Sequence, residues 1–181
     1  MITQSEMSAN IEQSRLSLPD GWVTIELASV RDRNRAVDEF VNARIHYFGE
    51  ELNSLKNALK FNMDMNALAG AESYSILLLT NVFMSVFVYR LPDKLPEIRR
   101  RLNEADAKYL ESSWIWGPMY RAWRTDDVGL NADYWLDPND GAGVFHARFS
   151  ANRTDDVENM LGYFDHLIST LEVPSKAEEA R

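Results

Sequence analysis

The chain has 181 residues, of which 45% are hydrophobic and 26% charged, values typical of a folded globular protein of one domain. Its 28 acidic and 19 basic residues give a net charge of -9, which would repel a phosphate backbone and argues against nucleic acid as a partner. The one dense basic run, Arg99–Arg101, lies among acidic neighbours. The chain contains no cysteine, which excludes disulfides, thiol catalysis and thiolate metal sites, and this fits a cytoplasmic protein.

Both ends of the chain are polar and lack periodic apolar residues, so we predict disorder over residues 1–17 and 175–181. The N-terminal stretch has no apolar segment of the kind found in a signal peptide. The longest apolar run, Ile76–Val88, is interrupted by polar residues and is shorter than the roughly 20 apolar residues that a membrane helix needs. We therefore expect one domain over residues 18–174, no membrane insertion and a cytoplasmic location.

The first half of this domain changes from a strand pattern to a helix pattern. Residues Trp22–Leu27 alternate between apolar and polar, which predicts a half-buried strand. From Asp32 to Leu68 the apolar residues recur at helical spacing, and Gly49 within the run indicates two helices that meet there. Gly70 is a natural residue to end the second helix.

The middle of the chain reads as two strands and a helix. Tyr74–Leu79 and Phe83–Tyr89 are rich in β-branched, aromatic and aliphatic residues, and they predict strands joined tightly near Thr80 and Asn81. Glu97–Leu110 has apolar residues on one helical stripe, so we predict a helix over its whole length.

The C-terminal third predicts three consecutive antiparallel strands and a helix. The strands are Met119–Thr125, Leu130–Leu136 and Val144–Ser150, and the residues between them favour turns. The last helix is expected to begin at Thr154 as its N-cap, and it carries a continuous apolar stripe that would dock on the sheet.

Apolar residues of the last two strands share one face when Leu136 lies opposite Phe145. That register sets Trp135 opposite His146 and Asp133 opposite Arg148, and a charge pair across two strands is favourable by about 0.2–1 kcal/mol. It also has a cost, since extending the register to the preceding strand turns Arg121 toward the apolar face.

The opposite face of these strands is the candidate binding surface. It would carry an exposed row of aromatic and charged side chains: Tyr120, Trp135, His146, Asp133 and Arg148, with Arg124 nearby. Aromatic residues and arginine are enriched at binding interfaces. The alternative is that the protein's own helices and loops, such as Trp114–Trp116, cover this face.

No pattern in the sequence indicates a catalytic or cofactor site. His46 and Glu50 have helical i, i+4 spacing but lack a third metal ligand, and Asp165 and His166 are adjacent on a helix and point in different directions. Asp137–Gly141 resembles the start of a calcium loop without its later ligands, so it favours a turn. We therefore expect no catalytic residues, no metal and no cofactor.

The order of elements resembles actinobacterial proteins of the LpqN type, which have a PsbP-like fold. The resemblance covers about residues 18–173 and rests on Leu18-Pro19-Asp20-Gly21-Trp22, Ala67-Leu68-Ala69-Gly70-Ala71, Phe164-Asp165 and Thr170-Leu171. It implies an α+β fold, an α/β/α sandwich with a mainly antiparallel sheet of about six strands packed against helices. It also implies a non-catalytic, protein-binding role, which in some relatives accompanies type VII secretion genes. Many LpqN-type proteins are lipoproteins, whereas this chain has no cysteine to carry the lipid.

Three functions are compatible with these features. The first is a non-enzymatic accessory module that binds a protein partner, whose basic surface would complement the acidic chain. A variant of this first function is an immunity-type partner of a toxin. The second function is a small-molecule-binding protein or an enzyme with a pocket of aromatic residues. The third is a homo-oligomer that associates through exposed strand edges.

Overall fold

A computed structural model describes residues 15–27, 29–43, 52–78, 83–115, 117–127, 129–139, 141, 143–152 and 156–172. The helices in these ranges are α1 (Val30–Asn42), α2 (Leu52–Leu68), α3 (Leu95–Glu104) and α4 (Val157–Ser169). The strands are β1 (Arg15–Leu16), β2 (Trp22–Glu26), β3 (Ala71–Leu78), β4 (Phe83–Leu91), β5 (Tyr109–Trp114), β6 (Gly117–Thr125), β7 (Gly129–Leu136), β8 (Val144–Asn152) and β9 (Leu171–Glu172).

The fold is a mixed α+β arrangement around one antiparallel sheet. Seven strands pair in the order β2-β3-β4-β8-β7-β6-β5, so β2 and β5 form its two edges. All of the strands predicted from sequence are present, but the expected number of about six is one too low. The missing strand is β5, which lies where the predicted helix was to end and just beyond it.

Helix α3 ends earlier than predicted because Asp106 adopts the left-handed conformation that a glycine usually provides at the end of a helix. Asp106 adopts a left-handed conformation with φ of 49°. The amide of Ala107 donates to Leu102 O at 3.0 Å and that of Asp106 donates to Asn103 O at 3.2 Å, the two hydrogen bonds of a Schellman motif. The chain therefore leaves the helix after Glu104, and Tyr109 begins a strand.

Helix α4 begins later than the sequence suggested. Its N-cap is Asp156, whose side chain accepts a hydrogen bond from the Asn159 amide at 3.1 Å. The predicted N-cap, Thr154, lies outside the described residues, as do Gly49, Thr80 and Asn81.

The two faces of the sheet contact different helices. On one face the apolar stripe of α4 packs against inward residues of β4, β6, β7 and β8, with Phe164 and Leu167 fully buried. On the other face α1 and α2 cover β2, β3 and β4, and Leu95, Ile98 and Leu102 of α3 pack near Tyr120 and Trp135. The candidate binding surface lies on this second face.

The prediction of disorder at the two ends of the chain is wrong in one place. Arg15 and Leu16 pair with Glu172 and Leu171, so the expectation of disorder is wrong for these two N-terminal residues. Residues 1–14 and 175–181 lie outside the described residues. None of the described helices has the length and apolar character needed to cross a membrane.

Candidate binding site

The strand register predicted from sequence is the register of the structure. Across β6 and β7 Tyr120 lies opposite Trp135, and across β7 and β8 Trp135 lies opposite His146. Asp133 lies opposite Arg148 in the same ladder. The structure therefore brings all the predicted site residues together on one face of three neighbouring strands.

His146 is held in a stack of aromatic rings. Its imidazole ring lies 5.0 Å from the Trp135 ring at an interplanar angle of 7°, and on its other side it lies 5.2 Å from the Tyr89 ring at 23°. Tyr89, which lies opposite His146 in the pairing of β4 with β8, was not predicted as part of the site. The sequence predicts the strand that carries Tyr89 from its β-branched, aromatic and aliphatic residues, but it does not show which strand pairs with it. The partner, β8, lies about 60 residues further along the chain, and only the fold reveals the contact.

Asp133 links the stack to a cation. Its Oδ1 atom lies 2.7 Å from His146 Nε2 and 2.7 Å from Arg148 Nε. Burial would raise the pKa of Asp133, but the hydrogen bonds and charges of His146 and Arg148 outweigh it and bring the pKa below its ordinary value. An ionised carboxylate can only accept hydrogen bonds, so His146 Nε2 and Arg148 Nε are the donors.

Exposure along the row is uneven, which corrects the expectation of an exposed aromatic row. His146 is buried, with 8% of its surface exposed. Tyr120 and Trp135 are half-buried because α3 packs beside them. The alternative interpretation, in which the protein's own helices cover this face, therefore holds only in part: α3 covers some of Tyr120 and Trp135, neighbouring rings flank His146, and Arg148 remains exposed.

An open groove of about 590 Å³ lies at the exposed end of the row. The segment that follows α3 forms one wall, and β6, β7 and β8 form the other. We call it the basic groove, and its charged and aromatic lining residues are Asp106, Lys108, Trp123, Arg124, Asp133, Trp135 and Arg148. The predicted surface included Arg124, Asp133, Trp135 and Arg148, whereas Lys108 lies in the groove because α3 ends earlier than predicted.

The cations of the basic groove differ from those of the arginine run on α3. Arg99, Arg100 and Arg101 each form an ion pair, with Glu111, Glu104 and Asp93 respectively. Within the part of the chain that the structure describes, Lys108 and Arg124 form no ion pair, whereas Arg148 is paired with Asp133 through Nε.

Arg121 lies on the opposite, apolar face of the sheet, as the predicted register requires. Its side chain is 13% exposed and forms an ion pair with Asp165 of α4, and Tyr134 donates a hydrogen bond to Asp165 Oδ1 at 2.8 Å. Burial and the nearby Asp165 charge raise the pKa of Tyr134. The carboxylate of Asp165 thus compensates the charge of Arg121, which this register turns toward the apolar face. Asp165 therefore has a structural role.

The described residues of the other motifs show no catalytic geometry. Asp137 Oδ1 accepts the Asn139 amide at 2.7 Å, which is the hydrogen bond of a turn. His46 and Glu50 lie outside the described residues. In the described ranges no group of three or more His, Asp or Glu side chains is arranged to hold a metal ion.

Comparison with known proteins gives no further guide. No protein-family model matches the chain, and no curated protein or solved structure is detectably similar to it.

Proposed function

We propose that this protein is a non-enzymatic binding module whose basic groove receives an acidic segment of a protein partner. The observation that carries the proposal is the pair Lys108 and Arg124, two cations that have no carboxylate partner among the described residues and line the groove beside Trp135. The groove also contains the carboxylates of Asp106 and Asp133, so its three cations leave an excess of one positive charge. In a chain of net charge -9 this local excess is attractive to an acidic ligand.

The third cation, Arg148, supports the same proposal through its geometry. Its Nε atom is held by Asp133, so the guanidinium is oriented, and its Nη groups, which have no acceptor among the described residues, can donate to an incoming carboxylate. Burial lowers the pKa of Arg148, but Asp133 outweighs this and the net effect is a raised pKa, so the side chain keeps its charge. An arginine whose conformation is already fixed loses less entropy on binding.

Trp135 would supply the apolar part of the contact. It is half-buried against His146, so its ring position is fixed, and a rigid aromatic side chain in a groove with a polar rim is the usual arrangement of a binding hot spot. The proposal changes one expectation, because the net acidity of the chain suggested a basic partner and the groove favours an acidic one.

A small acidic molecule is the alternative ligand. The groove volume of about 590 Å³ lies within the range of small-molecule pockets, roughly 300–1,000 Å³. The open shape and the cations that line it favour a longer partner segment, because a buried small molecule would require more enclosure.

The biological setting forms part of the proposal and rests on the resemblance alone. We propose that the elements form the α/β/α sandwich of PsbP-like proteins, and that the module acts in the cytoplasm as an accessory factor, either beside type VII secretion or as the immunity-type partner of a toxin. The helices that pack on both faces of the sheet and the cysteine-free sequence are compatible with this.

Selection from a random-peptide display library tests the proposal, because it requires no identified partner. The wild-type protein is expected to enrich peptides rich in Asp and Glu. The double variant Lys108→Glu, Arg124→Glu is expected to lose that enrichment because the groove would then repel carboxylates. The matched control is Arg100→Glu, an exposed arginine of α3 outside the groove.

Two results would overturn the proposal. One is enrichment of basic or uncharged peptides by the wild-type protein. The other is enrichment of acidic peptides that survives in the groove double variant, since this would place the interaction elsewhere. If only free dicarboxylates and no peptides bind, and the groove variant abolishes that binding, the small-molecule alternative replaces the protein partner.

A further inference from the structure

Strand β5 is an open edge of the seven-stranded sheet. It pairs with β6 on one side, and in the described residues no strand pairs with its other side. Such an edge presents unpaired backbone groups that can hydrogen-bond to another strand. Its six residues, Tyr109–Trp114, are mostly exposed.

The hydrogen-bond pattern of β6 shows which groups of β5 face outward. Asp126 and Gly129 exchange two backbone hydrogen bonds, of 3.0 and 3.2 Å, at the end of the β6–β7 ladder. Because bonded residues alternate along an antiparallel strand, the even-numbered residues of β6 face β7 and its odd-numbered residues face β5. The odd-numbered residues of β5 (Tyr109, Glu111 and Ser113) therefore direct their N–H and C=O groups toward the open edge.

Two large apolar side chains are exposed at this edge. Leu110 is 47% exposed and Ile115, directly after the strand, is 73% exposed. The one acidic residue, Glu111, forms an ion pair with Arg99 at 3.0 Å, which reduces its charge at the edge. Natural proteins usually place unpaired charges or prolines on an edge that must stay single.

We propose that the β5 edge pairs with the β5 edge of a second copy of the chain, antiparallel about a two-fold axis at Ser112. Outward-facing residues must pair with each other, so the two-fold axis passes through a residue and does not fall between two residues. An axis at Glu111 would set two glutamates directly opposite, which is unfavourable. An axis at Ser112 sets Glu111 opposite Ser113 of the second copy.

The Ser112 register also pairs the apolar side chains. Leu110 lies opposite Trp114 of the second copy, and Tyr109 lies at the end of the pairing, beside the turn that carries Ile115 of the second copy. Part of the exposed apolar surface of the edge is thereby covered. The two sheets join with equivalent faces on the same side, and both β5 edges are used in the pairing. The contact is therefore a closed two-fold dimer and does not continue into a fibre.

A single-cysteine experiment tests both the dimer and its register, since the native chain has no cysteine. In Ser112→Cys the two thiols occupy a non-hydrogen-bonded pair with Cα atoms about 4.5 Å apart, within the reach of a disulfide. In the control Ser113→Cys the thiols are two residue steps apart along the strands, which is beyond that reach. Under mild oxidation we expect Ser112→Cys to form a covalent dimer at least about tenfold faster than Ser113→Cys.

Light scattering on the native sequence provides the second measurement. The mass is expected to rise with concentration toward twice the chain mass of 20.8 kDa. Ser112→Lys, which sets two cations opposite each other, should remain monomeric, whereas Ser113→Lys faces Glu111 of the second copy and should still dimerise. A monomer mass at every concentration, or equal cross-linking of the two cysteine variants, would overturn the proposal. Neither outcome depends on the basic groove.

Discussion

Asp133 Oδ1 accepts a hydrogen bond from His146 Nε2 at 2.7 Å while the same imidazole ring is stacked between Trp135 and Tyr89. The hydrogen bond fixes the rotation of the ring, and the two flanking rings fix its plane. Because Asp133 also holds Arg148, one carboxylate connects the buried stack to the exposed cation of the basic groove. The candidate binding surface is therefore a rigid platform, built from residues of neighbouring strands.

The acid stability of the protein should depend on Asp133. Its pKa in the folded protein lies below the ordinary value of 3.8, so the unfolded chain takes up its proton first as the pH falls. The stabilisation by this carboxylate is present above pH 3.8 and is lost as the pH drops through the folded pKa. We expect Asp133→Asn to be less stable than wild type at neutral pH by about 1–2 kcal/mol and to lose less stability between about pH 5 and pH 3.

Urea unfolding across that pH range measures the difference. Asp20→Asn, at an exposed turn position, is the control and should lose stability with falling pH as the wild type does. Asp38, whose pKa is also lowered by Lys56 and Lys60, remains in all three proteins and contributes equally. Parallel acid curves for wild type and Asp133→Asn would contradict the role given to Asp133.

Removal of Asp165 should destabilise the opposite face of the sheet. In Asp165→Ala the guanidinium of Arg121 loses its partner in a largely buried position, and the hydroxyl of Tyr134 loses its acceptor. We expect a loss of about 1–3 kcal/mol in the free energy of unfolding. Glu104→Ala breaks the exposed ion pair with Arg100 and should cost less than about 0.5 kcal/mol. Equal effects of the two substitutions would show that Arg121 does not depend on Asp165 for its charge compensation.

Gly129 should tolerate no side chain. A Cβ atom there would lie 2.0 Å from Ala151 O, and the residue has φ of 152°. We expect Gly129→Ala to lower the free energy of unfolding by about 2–4 kcal/mol. In α4 the corresponding change Gly162→Ala meets no atom within 4 Å and should be stabilising by about 0.5–1 kcal/mol, so thermal unfolding should shift in opposite directions for the two variants.

Sequence patterns were sufficient for the register of β6, β7 and β8 because the information is local. Alternation on each strand and short turns allow one arrangement that places Leu136 and Phe145 on the same face. Local patterns reveal neither the contact of Tyr89 with His146 nor the ion pair of Arg121 with Asp165, because these contacts join residues distant in sequence.

The predicted end of α3 at Leu110 was wrong for a different reason. Apolar residues continue at helical spacing as far as Tyr109, but the chain turns at Asp106 in a left-handed conformation that the sequence marks with no glycine. This single turn creates the edge strand and places Lys108 in the basic groove. The residues that the strands contribute to the candidate site were therefore predictable from the sequence, whereas Lys108, in the segment after α3, was not.

The most direct test of the proposed function is an NMR titration of the isotope-labelled protein with an acidic peptide obtained by selection. If the basic groove binds an acidic segment, saturable shifts should centre on the amides of Lys108 and Arg124 and on the Trp135 indole, and the affinity should weaken about tenfold when the salt concentration is raised several-fold. The Lys108→Glu, Arg124→Glu variant should show no saturable shifts. Shifts centred on any other surface, or affinity that does not respond to salt or to the two substitutions, would contradict the proposed function.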